Sequence, residues 1–258
     1  MANSQYGYVR LAERDDTLLP STYLVVRIDG KGFHKFSKRH NFTKPNDLAA
    51  LRLMNHSARN LMMSDAGQTI VAAFGQSDEY SFVLSRSTTL FLRRESKIVT
   101  TFVSMFTSYY VRLWSSYFPQ SPLEEQDDAP SFDGRVVQYP LRSEVIDYLN
   151  WRQVDTHINN LYNTTFWALV QQGGKSPKEA HAALQGTVSA DKNETLFTQF
   201  GINYSKVDPI FRKGTLLLRT SMTTESASVT SGPIVTVHED IIKPSYWNQS
   251  DRSKVFPT

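Results

Sequence analysis

Apolar segments typical of strands alternate with helical patterns along the first 140 residues, and this alternation limits what the chain can fold into. β-Branched and aromatic residues indicate four strands, at residues 22–29, 68–74, 80–86 and 132–140. Apolar residues at helical spacing indicate two helices, at residues 45–67 and 93–118. Gly75 lies in the short link between the second and third strands, which favours a hairpin. The predicted order is therefore β-α-β-β-α-β.

That order is typical of α+β proteins with a ferredoxin-like or polymerase-palm-type sheet, in which the first and second strands flank the third. The pattern changes after residue 142. A long helix is predicted between Ser143 and Gly173, followed by shorter helices at residues 176–186 and 191–200 and a strand at residues 214–220. We therefore predict a palm-like domain over residues 1–142 and a largely helical C-terminal extension over residues 143–258.

Composition excludes several classes of protein. The chain contains no cysteine, which rules out disulfides, thiolate zinc sites and cysteine nucleophiles. No apolar run approaches the roughly 18 residues of a membrane span, and the first residues lack the apolar core of a secretory signal. The net charge is only +3, so overall charge does not by itself indicate a nucleic-acid partner. We expect a soluble intracellular protein without a membrane partner, located in the cytoplasm or the nucleus.

Three carboxylates lie where the predicted strands end. Asp29 closes the first strand, and Asp78 and Glu79 lie in the link between the second and third strands. The predicted sheet brings these links together, and two carboxylates about 4 Å apart repel by roughly 4 kcal/mol at an effective dielectric near 20. Mg²⁺ offsets such repulsion, and the Gly30 carbonyl supplies one more hard oxygen ligand. The alternative is structural, with Asp29 opening a turn and the other two capping a hairpin.

Basic residues cluster around Asp29 in the sequence: Arg27, Lys31, Lys35, Lys38, Arg39 and Lys44, together with His34 and His40. The neighbouring glycines allow backbone amides to approach an anion closely. A second basic cluster begins the helix at residues 93–118 and comprises Arg93, Arg94, Ser96 and Lys97. Cations oppose the helix dipole there, so a bound anion would explain them. The two clusters and the carboxylates predict a site for Mg²⁺ and a triphosphate, and a solvated surface is the alternative.

Several long strings carry a specific resemblance. They include VVRIDGKGFHKFSKRHNFTKPND, GQSDEYSFVL, FDGRVVQYP and YLNWRQVDTHINNLYNTTFWALVQQ. The sequence resembles the eukaryotic tRNA-histidine guanylyltransferases, from its first residue to about Gly214. The resemblance implies addition of a guanosine to the 5′ end of histidine tRNA, with chain growth from 3′ to 5′. The implied steps are adenylylation of the 5′-phosphate by ATP, attack by the 3′-hydroxyl of GTP, and removal of pyrophosphate. The resemblance also implies a homotetramer.

The resemblance assigns roles to individual residues. Two Mg²⁺ ions are expected on Asp29, Asp78 and the Gly30 carbonyl, with Glu79 supporting them as a further catalytic residue. The reacting nucleotide is expected to contact Lys31, Gly32, Phe33, His34, Lys44, Asn46, Asp47 and Ser77. Triphosphate, including that of GTP, is expected to contact Arg27, Arg94, Ser96 and Lys97.

The resemblance also implicates the C-terminal region, residues 143–258, in tRNA recognition and assembly. The residues expected to bind tRNA are His157, Asn160, Lys192, Arg212 and Lys213. His157, Asn160 and Thr164 share one face of a predicted helix, opposite Val154, Ile158 and Leu161. Side chains with several donors and acceptors read splayed bases of single-stranded RNA. A histidine that only forms structural hydrogen bonds is the alternative.

Two other functions compete with the guanylyltransferase hypothesis. A palm-type nucleotide cyclase uses the same two-carboxylate geometry on a nucleoside triphosphate alone, but it leaves the C-terminal region without a role. A non-catalytic RNA-binding module accounts for that region, but it leaves acids flanked by basic loops unexplained.

Overall fold

The computed structural model describes residues 5–123, 129–220, 232–249 and 255–256 of the chain. Its centre is a six-stranded sheet with the strand order β4-β1-β3-β2-β5-β6. Every neighbouring pair of strands in it is antiparallel. The strands are β1 Tyr23–Gly30, β2 Ile70–Gln76, β3 Glu79–Leu84, β4 Phe132–Tyr139, β5 Thr215–Arg219 and β6 Ile234–Val237.

Eight α-helices lie in the described part of the chain. They are α1 Phe33–Arg39, α2 Leu48–Met63, α3 Glu95–Tyr117, α4 Arg142–Gln171, α5 Pro177–Leu184, α6 Ser189–Phe200, α7 Pro209–Lys213 and α8 Pro244–Trp247. None of these helices is both long and apolar enough to cross a membrane.

The structure confirms a mixed α/β protein with an antiparallel sheet. All four strands predicted in the first 140 residues are present, and β3 lies between β1 and β2 as expected. The predicted strand at residues 214–220 is β5, which pairs with β2. Strands from both sides of residue 142 therefore form one sheet, so the C-terminal region is not only a helical extension.

The side chains of β1 alternate between two cores because successive residues of a strand point to opposite faces. Leu24, Val26 and Ile28 pack into the core formed with α2 and α3. Tyr23 and Val25 pack into the core on the other face, which includes Val145, Tyr148 and Leu149 of α4. Arg27 and Asp29 continue the second series toward the end of the strand, so they lie on the side of the sheet that α4 covers.

The long helix α3 packs its most buried residues at every fourth position: Ile98, Phe102, Phe106, Tyr110 and Trp114. The helical stripe expected from the sequence runs through Ile98, Phe102, Met105, Tyr109 and Leu113. Its first two residues are buried as expected, and the other three are only partly buried against the same core. From Met105 onward, each buried residue of α3 lies one position further along the helix than expected. This shift places Tyr110 against Phe33 and Phe132, with ring centroids 5.9 and 5.3 Å away, at the end of the sheet where β1 finishes.

Candidate active site

The three predicted carboxylates meet at one end of the sheet. Asp29 lies opposite Glu79 of β3 and opposite Asp133 of β4 in the strand register. Asp78 lies in the turn between β2 and β3, and its carbonyl accepts a hydrogen bond of 3.0 Å from the Gly30 N–H. The predicted convergence of strand one and the hairpin is therefore present, and Asp133 is an acidic neighbour that the sequence analysis missed.

Gly30 allows the Asp78 carboxylate to approach the backbone. A β-carbon at this position would lie 2.9 Å from Oδ2 of Asp78 and 2.6 Å from Cγ of Phe33. Both distances are well below ordinary van der Waals separations of about 3.5–4.0 Å. The glycine is needed here because of this close approach, so the Gly30 backbone and the Asp78 carboxylate form one compact group.

Burial and repulsion both act on these carboxylates. Burial raises the pKa of Asp78, and the negative charge of Asp29 raises it further, against a hydrogen bond of 2.9 Å from the Ser77 hydroxyl. Burial also raises the pKa of Glu79, although Arg152 and Arg27 oppose that shift. A raised carboxyl pKa means that the negative charge is poorly compensated, which is the condition a bound cation relieves.

Glu79 lies between two arginines. One guanidinium nitrogen of Arg152 donates to both carboxylate oxygens, at 3.0 and 3.1 Å, and Nε of Arg27 lies 3.8 Å away. Arg152 belongs to α4 and is only 5% exposed. Arg152 has no role in the sequence-based predictions, although an arginine three residues after the buried Leu149 is a helical-spacing signal for an inward-facing charge. Glu79 therefore supports the site through ion pairs.

The donor set at this end of the sheet fits Mg²⁺. Within the described residues, no group of three or more His, Asp or Glu side chains is arranged to hold a metal. The candidate metal ligands are therefore the carboxylates of Asp29 and Asp78 and the backbone carbonyl of Gly30. These are hard oxygen donors, and Mg²⁺ is commonly bound by one or two carboxylates while phosphates and water complete its coordination.

The stretch after Gly30 was predicted as a phosphate-holding loop, but most of it is the short helix α1. Gly32 precedes the helix with φ +71°, a conformation that favours glycine. The ring of Phe33 is buried against Phe36 and Phe132, with centroids 5.0 and 4.9 Å away. Phe33 can therefore offer an anion only its backbone N–H, which lacks a helical partner as in the first turn of any helix. Lys31 and His34 are exposed.

The residues expected further along have structural partners. Asp47 caps α2, accepting from the N–H groups of Ala50 at 2.9 Å and Thr43 at 2.8 Å. Lys44 donates to the Ser37 hydroxyl at 3.3 Å. Burial raises the pKa of Tyr110, and the negative charges of Asp78 and Asp47 raise it further. Both carboxylates therefore lie near that ring. The segment before α2 thus lies beside the Asp78 turn, and its contact with nucleotide stays a prediction.

The second basic cluster does not join the first. Arg93 is buried and donates to the carbonyl and hydroxyl oxygens of Thr22, at 3.2 and 2.9 Å, just before β1 begins. Asp29 lies near the other end of β1, roughly 20 Å away at a strand rise of about 3.3 Å per residue. Arg94, Ser96 and Lys97 therefore lie far from Asp29 within one chain, and their contact with triphosphate stays a prediction. β3 leads away from the hairpin, so α3 begins at the far end of the sheet.

An anion does lie at the start of α3, and it is the side chain of Asp16. Its carboxylate accepts from the Ser96 N–H at 2.7 Å and from Nε of Arg94 at 3.2 Å. The hydrogen bonds with Ser96, and then Arg94, lower the pKa of Asp16 to about 2. Sequence reasoning expected a bound anion at this helix N-terminus but did not identify one from the same chain.

The residues predicted to bind tRNA lie mostly around the second half of α4. The positive charges of Lys213 and Arg212 add to burial in lowering the pKa of His157, so these three side chains are close together. Lys213 forms an ion pair of 2.8 Å with Asp240. Lys192 lies on α6, where its ammonium group donates to the Thr187 carbonyl at 2.8 Å.

Asn160 faces the interior of the protein. It is 8% exposed, donates to Oδ1 of Asn46 at 2.6 Å, and accepts from the Tyr204 hydroxyl at 3.1 Å. Val154 and Ile158 are 39% and 53% exposed, so the apolar face predicted for this helix is partly turned to solvent. The bond between Asn160 and Asn46 joins the predicted tRNA-binding region to the predicted nucleotide-binding segment. A direct contact of Asn160 with tRNA stays a prediction.

Family models cover nearly all of the chain. A family model described as tRNAHis guanylyltransferase matches residues 6–140, and one described as Thg1 C terminal domain matches residues 143–254. The chain belongs to the tRNA-histidine guanylyltransferase family. The tRNA(His) guanylyltransferase of Debaryomyces hansenii is 48% identical over 96% of this chain and 98% of its own length. A probable tRNA(His) guanylyltransferase of Homo sapiens is 48% identical over 96% of this chain and 87% of its own.

Solved structures of this guanylyltransferase family share the fold. The crystal structure of the Saccharomyces cerevisiae enzyme has a TM-score of 0.79 and 53% identity, and the match covers 83% of this chain and 93% of that one. A bacterial tRNA(HIS) guanylyltransferase (Thg1)-like protein in complex with ATP has a TM-score of 0.74 over 94% of each chain, at 22% identity. A likeness at that identity shows the fold alone.

Membership of the guanylyltransferase family makes the chain an enzyme of the nucleotidyltransferase class. The first matched region contains β1 to β4 and the carboxylates Asp29, Asp78 and Glu79. The second matched region begins with α4, which supplies Arg152 to Glu79. The candidate active site is therefore built from both matched regions.

Proposed function

We propose that the chain adds one guanosine to the 5′ end of histidine tRNA, with growth from 3′ to 5′. First, the tRNA 5′-phosphate attacks the α-phosphorus of ATP, and pyrophosphate leaves. The 3′-hydroxyl of GTP then attacks the activated 5′-phosphorus, and AMP leaves. Finally, pyrophosphate is removed from the added nucleotide. The observation that carries the proposal is the pairing of family membership with the Asp29–Gly30–Asp78 group at the end of the sheet.

Two Mg²⁺ ions fit this site through the Asp29 and Asp78 carboxylates and the Gly30 carbonyl. When bound, they neutralise charge on the transferring phosphates and orient the reacting oxygens. The contribution of the protein is geometric and electrostatic. The Gly30–Asp78 hydrogen bond and the Ser77 hydroxyl hold Asp78 in place, and the arginines beside Glu79 prevent a third free carboxylate from adding to the repulsion.

ATP and GTP are expected to occupy the space beside this carboxylate group. Lys31 and His34 are exposed next to it, and the first backbone N–H groups of α1 have no helical partner, as anion binding requires. Related bacterial proteins have been solved in complex with ATP and with GTP, which supports the choice of nucleotides. Ser77 adjoins Asp78 in the turn and Lys44 donates to Ser37 of α1, and both are proposed to contact the nucleotide.

The order of the first four strands in the sheet, β4-β1-β3-β2, supports a palm-type catalytic unit. We propose that residues 1–142 form this unit and that residues 143–258 carry tRNA recognition and assembly, with a homotetramer as the functional state. The two units are proposed to differ in role. Because their strands belong to one sheet, they are not separable in structure.

The decisive assay supplies 5′-phosphorylated histidine tRNA with ATP, GTP and Mg²⁺, and measures one-nucleotide extension at the 5′ end. Asp29→Ala and Asp78→Ala are each expected to abolish extension while circular dichroism and unfolding stay close to wild type. Replacing His157 is expected to weaken the preference for histidine tRNA more than the adenylylation step. Retained extension by either Asp variant would contradict the metal assignment. A cyclic nucleotide product without tRNA would support a cyclase instead.

A further inference from the structure

The turn that carries Ser77 and Asp78 is held at both of its flanks by one helix. Gln76 and Glu79 are paired across β2 and β3, with the two turn residues between them. Arg152 of α4 donates to both oxygens of Glu79, at 3.0 and 3.1 Å. Asp155, one helical turn later, accepts from Nε2 of Gln76 at 3.3 Å. The helix therefore contacts each strand of the hairpin immediately beside the turn.

The Arg152 side chain of α4 is itself held in place by neighbouring residues. The Arg152 guanidinium lies 3.4 Å from the centroid of the Trp151 ring and 3.7 Å from the Asp155 carboxylate. An arginine held by a carboxylate, a second carboxylate and an aromatic face has little rotational freedom. Five residues beyond Asp155, Asn160 makes another contact of the same helix with Asn46. One rigid helix thus spans the hairpin and the segment before α2.

The turn has few restraints of its own. Ser77 is exposed and has φ +48°, which is unusual for a residue other than glycine. Among the residues that the structure describes, its hydroxyl donates a hydrogen bond to the neighbouring Asp78 alone, at 2.9 Å. The position of Asp78 therefore depends on the flanking residues and on its backbone contact with Gly30.

We propose that Arg152 and Asp155 are positioning residues. Their hydrogen bonds to Glu79 and Gln76 hold the Ser77–Asp78 turn in its reactive geometry. The kinetic part of the test rests on the proposed guanylyltransferase function, whereas the structural part does not. Neither residue contacts the reacting atoms, so their substitution acts through the placement of Asp78. A displacement of about 1 Å in a catalytic group lowers rates by up to about 100-fold.

The test compares Asp155→Ala, Gln76→Ala and the double variant with Asp147→Ala, an exposed aspartate on the same helix as the matched control. Hydrogen–deuterium exchange of residues 75–80 reports local opening of the hairpin without any substrate. Single-turnover adenylylation at saturating ATP and tRNA reports placement of the reacting groups. Arg152→Lys keeps a positive charge beside Glu79. It tests the role of Arg152 if complete removal of the charge prevents folding.

Asp155→Ala is expected to raise exchange in residues 75–80 at least about fivefold and to slow adenylylation about tenfold, with tRNA and ATP dissociation constants within about twofold of wild type. The double variant is expected to match Asp155→Ala, because that substitution already removes the contact with Gln76 along with the ion pair to Arg152. Unchanged hairpin exchange, exchange raised equally throughout the protein, or full additivity in the double variant would each overturn the proposal. If wild-type protein fails to adenylylate tRNA, the proposed function fails, and the exchange results still decide the role of the two residues.

Discussion

Replacing Gly30 by alanine tests the geometry of the carboxylate group most directly. The added β-carbon would lie 2.6 Å from Cγ of Phe33 and 2.9 Å from Oδ2 of Asp78, about 1 Å inside normal contact. Phe33 cannot move aside easily, because its ring is enclosed by Phe36, Tyr110 and Phe132. Asp78 is therefore the group expected to move.

Two magnitudes follow from this overlap. Overpacking a buried site costs about 1–3 kcal/mol, which at about 2–4 °C per kcal/mol lowers the Tm of a chain of this size by roughly 2–12 °C. Moving Asp78 by about 1 Å lowers the rate of 5′ extension by about 100-fold. Urea unfolding measures the first effect, and single-turnover extension at a temperature where both proteins are folded measures the second.

Two other glycines provide matched controls. A β-carbon on Gly7 meets no atom within 4 Å, so Gly7→Ala should match wild type in both assays. A β-carbon on Gly32 also meets nothing within 4 Å, but its φ of +71° makes Gly32→Ala strained by about 1–2 kcal/mol without any collision. A Gly30→Ala protein with wild-type stability and extension rate would refute the close packing of Gly30, Phe33 and Asp78.

Three further predictions concern charge and burial. Asp29→Asn should slow extension about 1000-fold or more, since several kcal/mol of charge stabilisation are lost, while urea unfolding at neutral pH shows no loss of stability because repulsion of Asp78 is relieved. Burial, with Lys213 and Arg212, lowers the pKa of His157, so the unfolded chain binds its proton more readily. The free energy of unfolding should therefore fall as the pH drops below about 6.5, and His157→Gln should reduce that fall in urea titrations at several pH values. Asn160→Ala should destabilise the protein by about 1–3 kcal/mol in the same assay, because Asn46 and Tyr204 lose their hydrogen bonds with Asn160. Wild-type stability with reduced tRNA affinity would show instead that the Asn160 side chain only binds tRNA.

The carboxylate site was predictable because its signals are local. Each strand was recognisable from its own residues, and the short link between β2 and β3 favoured a hairpin. Once that hairpin was placed beside β1, Asp29 and Asp78 had to approach each other. The glycines beside Asp29 were predicted to let a bound anion reach backbone amides, whereas the close packing of Gly30 against Asp78 and Phe33 was not predicted.

The missed features depend on partners that are distant in the chain. Asp16 binds the start of α3 from 80 residues away, and Arg152 reaches Glu79 from 73 residues away. No periodicity links such residues, since each pairing depends on how the helices dock on the sheet. The separation of the two basic clusters was a different failure, because the predicted strand order already sends β3 away from the hairpin before α3 begins.

The sequence by itself determined the four strands and the two long helices α2 and α3 of the first 140 residues, the hairpin, and the family to which the chain belongs, but not the short helix α1. These follow from hydrophobic periodicity, turn residues and long matching strings, all of which are encoded in adjacent residues. Only the tertiary structure decided which face of α4 is buried and that Arg152 and Asp155 grip the hairpin. It also showed that Asp16 occupies the basic start of α3. Those choices are set by the packing of α4 and α3 against a shared sheet, where burial of a whole helix face outweighs the preference of any single polar side chain.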